Sequence, residues 1–552
     1  MRKYNINVKT AIAVFAIVLS ACSSDNDIVD NNSTNQEKTA ANKSMTFHAS
    51  MDGITTRTDF NSNSTIWATN DKISILNTAD VNEQHPEEGV FNIDAPANGS
   101  TYGKEETFSG TKIKANGNNN DQFYAFYPAD ADNFTNTNGT VKMTATIPTV
   151  HKAIADTYDQ SLHFMSAYST NSTFAFKNVC SLIKITLTNN TSVCRVKVVA
   201  NPTLTNVYDQ QFNYTSITGN FDATIGSDGI ASVTATDAKS TYVELRAKGD
   251  NGTAKTVIGN GTFYMVVLPA TISNGFTLLL EKTNGTIYQR ISTKVTEFER
   301  NKLYDLGSFD CSGTPDGMTA LGNDVVDLDL PSGTLWAKKN LNSKNGLISN
   351  PVILGFTSSE TDYGGYFSFG KKSVYSIGGY AGSKPELDEY TLKNAYDPAY
   401  SYASFNQKYC MPIYAQMYEF YNHFSNDYKQ SFISRNLLGF ATNGYAIFTA
   451  PTGTGRTITM PYTGHYMGGS VLKNEHTHMS YWSRTAQDQG ENLNPLDWAS
   501  SYCLETEEKT VNGKKVPEQV NAGGGSNAWV DDAYTGRAIR PVATNIKIAP
   551  IK

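Results

Sequence analysis

The sequence predicts a mainly β, multi-domain protein: two antiparallel β-sandwiches in tandem, then a third unit of different texture. Three observations carry this. A length of 552 residues, at about 150 per domain, allows three to four folded units. Charged residues make up 18% of the chain, below the roughly 25% of a typical soluble domain, and Thr, Asn, Gly and Tyr fill the difference. Such side chains suit pleated, half-buried strands and their turns. Finally, short runs of alternating apolar residues recur between Asn- and Gly-rich breaks, the pattern of antiparallel strands. The composition excludes a coiled coil, and a net charge of −7 offers no basic footprint for nucleic acid. No internal stretch approaches the ~18 apolar residues of a spanning helix.

The N-terminus reads as an address. Arg2, Lys3 and Lys9 precede the apolar run AIAVFAIVL at 11–19, which has signal-peptide length. The run ends in Leu19-Ser20-Ala21-Cys22, which resembles a bacterial lipobox. That resemblance implies lipidation of Cys22, cleavage before it, and anchoring through several acyl chains. The alternative is an ordinary secretory signal with a chance cysteine. Residues 23–43 have little to bury and read as a flexible tether; their early acids, Asp25 and Asp27, resemble a surface-export signal. The expected location is the outer membrane, facing outward. Five cysteines remain after Cys22. The number is odd and no CxxC pair occurs, so one thiol is unpaired or bonds between chains, and zinc-ribbon and thioredoxin motifs drop out. Cys194 shares a strand face with Val196 and Val198 and reads as a small buried hydrophobe.

The first folded element is Met45, Phe47, Ala49 and Met51 alternating with Thr46, His48 and Ser50, a strand with one apolar face. Further strands are expected at Trp67 with Asp71 to Leu76, at Phe123 to Tyr127, and at Val141 to Ile147. A second set begins at Thr173 and includes 182–187, 193–199, 263–268, 276–280 and 303–306. The ordered series Phe47-His48-Ala49-Ser50-Met51, Thr56-Arg57-Thr58, Trp67 with Asp71-Lys72-Ile73, Ala125-Phe126-Tyr127-Pro128, Ser181-Leu182-Ile183-Lys184-Ile185 and Asn301-Lys302-Leu303-Tyr304 resembles the fimbrillin-like pilin proteins over residues 44–311. The resemblance implies two tandem transthyretin-like β-sandwiches, at 44–170 and 171–311. It also implies assembly in which an Arg-specific protease removes the first strand and a strand from another subunit takes its place. Here the strand at risk carries Met45, Phe47, Ala49 and Met51, and the expected cut lies between Arg57 and Thr58, in a polar loop where nicking is easiest.

Residues 311–317 (CSGTPDG) form a linker by composition. Beyond it, Asp327-Leu328-Asp329-Leu330-Pro331-Ser332-Gly333-Thr334-Leu335-Trp336-Ala337, Tyr409-Cys410-Met411-Pro412, Tyr481-Trp482-Ser483 and Gly536-Arg537-Ala538-Ile539-Arg540-Pro541 resemble the Fibrobacter succinogenes major paralogous domain. This implies an α+β, C-type-lectin-like third domain over 318–552. The chain departs from that family at Tyr409, Cys410 and Ile413, and the calcium-dependent sugar motifs of true C-type lectins do not occur, so no calcium sugar site carries over. Residues 411–424 are the best helix candidate, with Met417, Tyr418, Phe420, Tyr421 and Phe424 forming an apolar stripe expected to pack under the sheet.

Enzyme signatures are missing. His476 and His478 share one face of an extended segment, with His465 nearby, but no third ligand has motif spacing, so no metal is assigned. No nucleophile elbow, phosphate loop or spaced carboxylate pair occurs, and no cofactor is expected. The sequence therefore reads as a non-enzymatic surface pilus subunit and, by topology, a tip adhesin. Its second sandwich runs into another domain, and only about ten residues follow Val542, too few for a generous donor strand. Tyr466, Tyr481, Trp482, Trp498 and Trp529 are the candidate glycan- or protein-binding aromatics. Expected partners are other pilin subunits, a glycan or host glycoprotein, and the outer membrane before processing. The alternatives are a membrane-retained, glycan-binding surface lipoprotein and a pilus anchor or accessory subunit.

Overall fold

A computed structural model describes residues 44–51, 66–81, 84–96, 100–116, 120–129, 134–204, 211–343, 354–370, 386–388, 391–426, 445–450, 452, 454–461, 463, 465–466, 472–473, 479–485, 499–511, 514–522, 530–531 and 538–543. Cys22, Arg57, Thr58, Trp498, Trp529, His476 and His478 lie outside them.

The first strand, Ser44–Met51, forms where the alternation requires it, with Phe47, Ala49 and Met51 turned inward. It belongs to a closed barrel, in the order Ser44–Met51, Thr173–Asn178, Met165–Ser169, Phe123–Tyr127, Lys72–Asn77, Glu88–Ile93, Glu105–Thr111. The core these strands enclose is aromatic: Phe47, Trp67, Phe91, Phe108, Phe123, Phe174 and Phe176 pack together.

Strands pair across the expected boundary at 170/171. Thr173–Asn178 lies beside the first strand in the barrel, in parallel register from His48↔Thr173 to Met51↔Phe176. In the other direction, Thr140–Ile147 leaves the first region and pairs antiparallel with Gly219–Ile225. Val150–Lys152 likewise runs parallel to Tyr242–Arg246. The chain crosses between regions three times, after 127, after 152 and after 178, because a strand's alternation fixes which face is apolar without naming its neighbour.

The second region is a sandwich. Gly261–Val267, Ser181–Thr188 and Leu303–Asp310 form one sheet. The facing sheet runs Thr319–Gly322, Ile287–Ser292, Phe276–Lys282, Val193–Ala200, Tyr242–Arg246, Val150–Lys152. Ile183, Ile185 and Leu187 meet Val196, Val198, Val243, Leu245, Leu278 and Leu280 between the layers. A register shift between Val193 and Arg195 puts Val193 into this core in place of Cys194. Cys194 is still buried, its thiol donating to the Glu281 carbonyl at 3.4 Å, and burial pushes the thiol up to about 11.

The chain stays in contact with the sandwich just past residues 311–317. Thr319–Gly322 joins the second sheet as its edge, pairing Tyr288↔Ala320 and Gln289↔Thr319. The C-terminal region then builds a sheet in the order Val325–Asp327, Leu335–Ala337, Val542–Ala543, Tyr409–Cys410. The helix spans Tyr414–Asn426 and starts after the expected Met411. Pro412 cannot donate, and the Gln416 side chain accepts from the Ile413 N–H at 3.0 Å, closing the helix start. Met417 and Phe420 pack under the sheet against Trp336, Ile458 and Met460, as the stripe predicts.

Candidate strand-exchange groove and domain junction

Two places in the molecule have the chemistry of recognition. The first is the slot that the strand Ser44–Met51 fills. Antiparallel register with Glu105–Thr111 runs from Ser44↔Thr111 to Ser50↔Glu105, while Thr173–Asn178 holds the opposite edge. Phe47 sits in a ring cage, 5.1 Å from Phe91, 5.1 Å from Phe123 and 5.2 Å from Phe174, edge-on to the first two and stacked on the third. Trp67 clamps the strand's end, its indole N–H shared between the Ala49 carbonyl at 3.3 Å and the Lys104 carbonyl at 3.1 Å. On the outer face Thr46 and Ser109 hydroxyls bond at 2.9 Å, and Ser50 donates to the Phe174 carbonyl at 3.2 Å. Withdrawal of this strand leaves two sheet edges and an aromatic trench with pockets two residues apart, the template that an extended peptide pairs with.

The second place is the junction between the sandwich and the C-terminal region, which sequence reasoning missed. Arg195 and Lys197 alternate with the core valines and so point away from the sandwich interior. That outer face is nonetheless buried, and all eight residues of Val193–Ala200 are covered. Arg195 reaches Glu281 at 2.6 Å, Asp327 at 2.6 Å and Glu244 at 3.2 Å. Lys197 lies 2.9 Å from both Asp327 and Asp329, and 3.9 Å over the Tyr242 ring. Arg456 closes on Asp329 at 2.8 Å, Thr452 donates to the same carboxylate at 2.6 Å, and Arg246 pairs with Glu244.

Burial works against the charges of Arg195, Lys197, Glu281, Asp327 and Asp329, and their partners outweigh it. The two aspartates lift the Lys197 ammonium above its ordinary value. Lys197, Arg195 and Arg456 hold Asp327 far below the usual carboxylate range, and Arg195, Arg456 and Lys255 draw Glu281 down to about 2. Lys197, Asp327 and Glu281 therefore stay ionised. The available signal was the charged alternation Arg195-Val196-Lys197, which by itself reads as a solvated face.

Beside this cluster, Glu419 on the helix accepts from the Ser332 N–H at 2.7 Å and from the Tyr214 hydroxyl at 2.8 Å, and also bonds the Ser332 hydroxyl. Burial dominates these hydrogen bonds and lifts its carboxyl to about 7.

The candidate binding aromatics fare differently. Tyr481 and Trp482 are core residues, 1% and 0% exposed. The Tyr481 hydroxyl donates to the Pro461 carbonyl at 2.9 Å and the Trp482 indole to the Phe367 carbonyl at 2.5 Å. Neither faces solvent, so neither is available to a ligand; large aromatics bury more apolar area than an exposed site can use. Tyr466 lies in the short strand His465–Tyr466, paired with Leu472–Lys473.

Residues 56–307 match the model of the fimbrillin-like family. Over this region the chain is fimbrillin-like. The family is structural rather than enzymatic, and it implies a fimbrial subunit or adhesin at the cell surface, in contact with other pilin subunits. The match begins after the strand Ser44–Met51 and ends at 307, so it takes in the other six barrel strands and the sandwich strands that lie before 303. Among solved structures, a candidate cell adhesion protein from Bacteroides ovatus is 14% identical, with 51% of this chain and 96% of that one covered and a TM-score of 0.31. The tip fimbrial protein Mfa3 from Porphyromonas gingivalis, truncated at its C-terminus, is 8% identical over 50% of this chain and 97% of its own, with a TM-score of 0.27. A fimbrial assembly protein from Parabacteroides distasonis is 12% identical over 50% and 99%, with a TM-score of 0.22. No curated protein matches the chain. Among the described residues, no helix is long and apolar enough to cross a membrane.

Proposed function

We propose that the protein is a tip adhesin of a surface pilus, delivered as a lipoprotein through Cys22 and polymerised by strand exchange. In this reading, cleavage between Arg57 and Thr58 releases the strand Ser44–Met51, and an incoming subunit's strand fills the slot by β-augmentation. The observation that carries the reading is the first strand itself. It completes the barrel through main-chain pairing on both edges, and its alternate side chains plug an aromatic trench. Such a strand is replaceable by any segment of like alternation.

The other end of the sandwich supports the tip position. Leu303–Asp310 is paired along its length with Ser181–Thr188, and the next strand, Thr319–Gly322, is held in the second sheet. The fimbrillin-like region therefore offers no loose strand to a following subunit. The C-terminal, lectin-like region would carry the ligand contact, with a glycan or host glycoprotein as its partner. Tyr466, Trp498 and Trp529 remain its candidate aromatics.

N-terminal sequencing of the surface-resident protein tests this. A start at Thr58 supports polymerisation, whereas a lipidated Cys22 retained on the surface form sinks it. That second outcome favours a membrane-retained, glycan-binding lipoprotein or an anchor subunit, for which the intact barrel with its first strand in place is already a complete fold. A glycan array with the processed chain then tests adhesion, and silence across it removes the sugar ligand.

A further inference from the structure

We propose that the outer face of the second sandwich, carrying Arg195, Lys197, Arg246, Glu244 and Glu281, is an intramolecular docking surface. Its occupant is the 327–334 segment of the same chain together with Arg456. The sandwich and the C-terminal region then open and close as one cooperative body, and the C-terminal region is held in a single orientation.

Charge complementarity names the occupant. The buried part of the sandwich face brings three cations against two carboxylates, a net +1, with Lys255 outside this count at the part-exposed rim, 3.1 Å from Glu281; the C-terminal side brings Asp327 and Asp329 against Arg456, a net −1. Joined, they cancel; either face meeting an apolar surface would bury an uncompensated charge, which is strongly disfavoured.

The backbone of the segment is shaped for the fit. The Asp329 N–H donates to the Asp327 carboxylate at 2.9 Å. Asp329 adopts φ 58, a left-handed conformation that aspartate tolerates through such local bonds. Gly333 has φ +70, and a Cβ there would stand 2.9 Å from Val199 Cγ1. A Cβ on Gly252 would similarly meet the Arg246 guanidinium at 2.6 Å and Thr454 at 2.9 Å. Each side thus presents a glycine where the other comes within 2.9 Å of a Cβ position. The Thr241 hydroxyl donates to the Pro331 carbonyl at 2.5 Å.

Adhesion and orientation come from different groups. Leu279 and Ile287 of the sandwich share one apolar core with Leu321, Val325, Leu335 and Leu341, and this burial supplies the attraction. The ion cluster adds little net attraction after desolvation but rejects other registers, since a shifted interface leaves buried charges unpaired.

Hydrogen exchange on the full chain tests the proposal, comparing the unaltered protein with Lys197→Met. Loss of the ammonium leaves Asp327 and Asp329 undercompensated. Amide exchange should then rise on the order of a hundredfold together in 276–290 and 319–337, while the barrel strands at 72–77 and 123–127 keep their protection. Should Lys197→Met fail to accumulate as folded protein, Asp329→Asn keeps the side-chain volume and the Thr452 hydrogen bond and is read in the same way. Lys142→Met, which removes a half-exposed ion pair with Asp222, is the control and should leave all of these amides unchanged. Unchanged exchange at 319–337 in the junction variants overturns the proposal. So does a rise at 319–337 with none at 276–290, because the two sides would then open independently.

Discussion

Truncation of Phe47 to alanine probes the first strand most directly. The ring is fully buried, with three aromatic neighbours at 5.1–5.2 Å. Removing a buried phenylalanine side chain costs ~3–5 kcal/mol, and each well-placed ring pair adds ~0.5–1.5 kcal/mol beyond area burial. The loss should therefore reach about 4–5 kcal/mol of barrel stability. Thr46→Ala in the same strand removes an outward hydroxyl bonded to Ser109 and should cost no more than about 0.5 kcal/mol. Urea unfolding followed by hydrogen exchange at 72–77 and 123–127 measures both. In native buffer, a labelled peptide of sequence SMTFHASM should enter the Phe47→Ala barrel faster than the unaltered one. A loss below about 1 kcal/mol, or equal losses in the two variants, would refute the claim that this side chain anchors the strand.

Further outcomes follow from the same geometry. Trp67→Phe keeps a ring against Phe108 but leaves the Ala49 and Lys104 carbonyls without the indole donor; it should cost about 1–2 kcal/mol and raise exchange across 44–51. Gly333→Ala combines an unfavourable φ with the approach to Val199 and should cost about 2–3 kcal/mol in urea unfolding. Adding Val199→Ala should recover only the steric share. Glu419 has its carboxyl raised by burial to about 7 from an ordinary 4.5. Its neutral form is favoured by the fold, so its contribution is fully present below about pH 4.5 and fades as pH rises through about 7, a swing of about 3 kcal/mol. His151 and His163, lowered by burial to about 4, act oppositely: their contribution is present above about pH 6.5 and is lost as pH falls through about 4. The difference between the unaltered chain and Glu419→Gln across pH 5–8 isolates the glutamate, and a flat difference contradicts the assignment.

The elements were largely legible. Ser44–Met51 buries Phe47, Ala49 and Met51 as its alternation requires, and Tyr414–Asn426 packs through Met417 and Phe420. The first strand's inward face was legible too, since its apolar residues alternate in the sequence itself. Tyr481 and Trp482 were not legible as core, because an aromatic in a glycine-rich region looks the same on paper whether it faces a ligand or a carbonyl. The junction was least visible. Arg195 and Lys197 find Asp327 and Asp329 some 130 positions away, and nothing local marks a charged face for burial.

The sequence by itself determined the β class, the strand faces and the apolar plug of the barrel. These depend on the two-residue repeat of a strand and the 3.6-residue repeat of a helix, which are local properties of the backbone. Tertiary structure alone decided that Thr173–Asn178 closes the first barrel, that Thr319–Gly322 joins the second sheet, and that the charged face of Val193–Ala200 is covered. Pairing and burial depend on which surface arrives from far along the chain, and a charge is stable in the interior only when an opposite charge arrives with it.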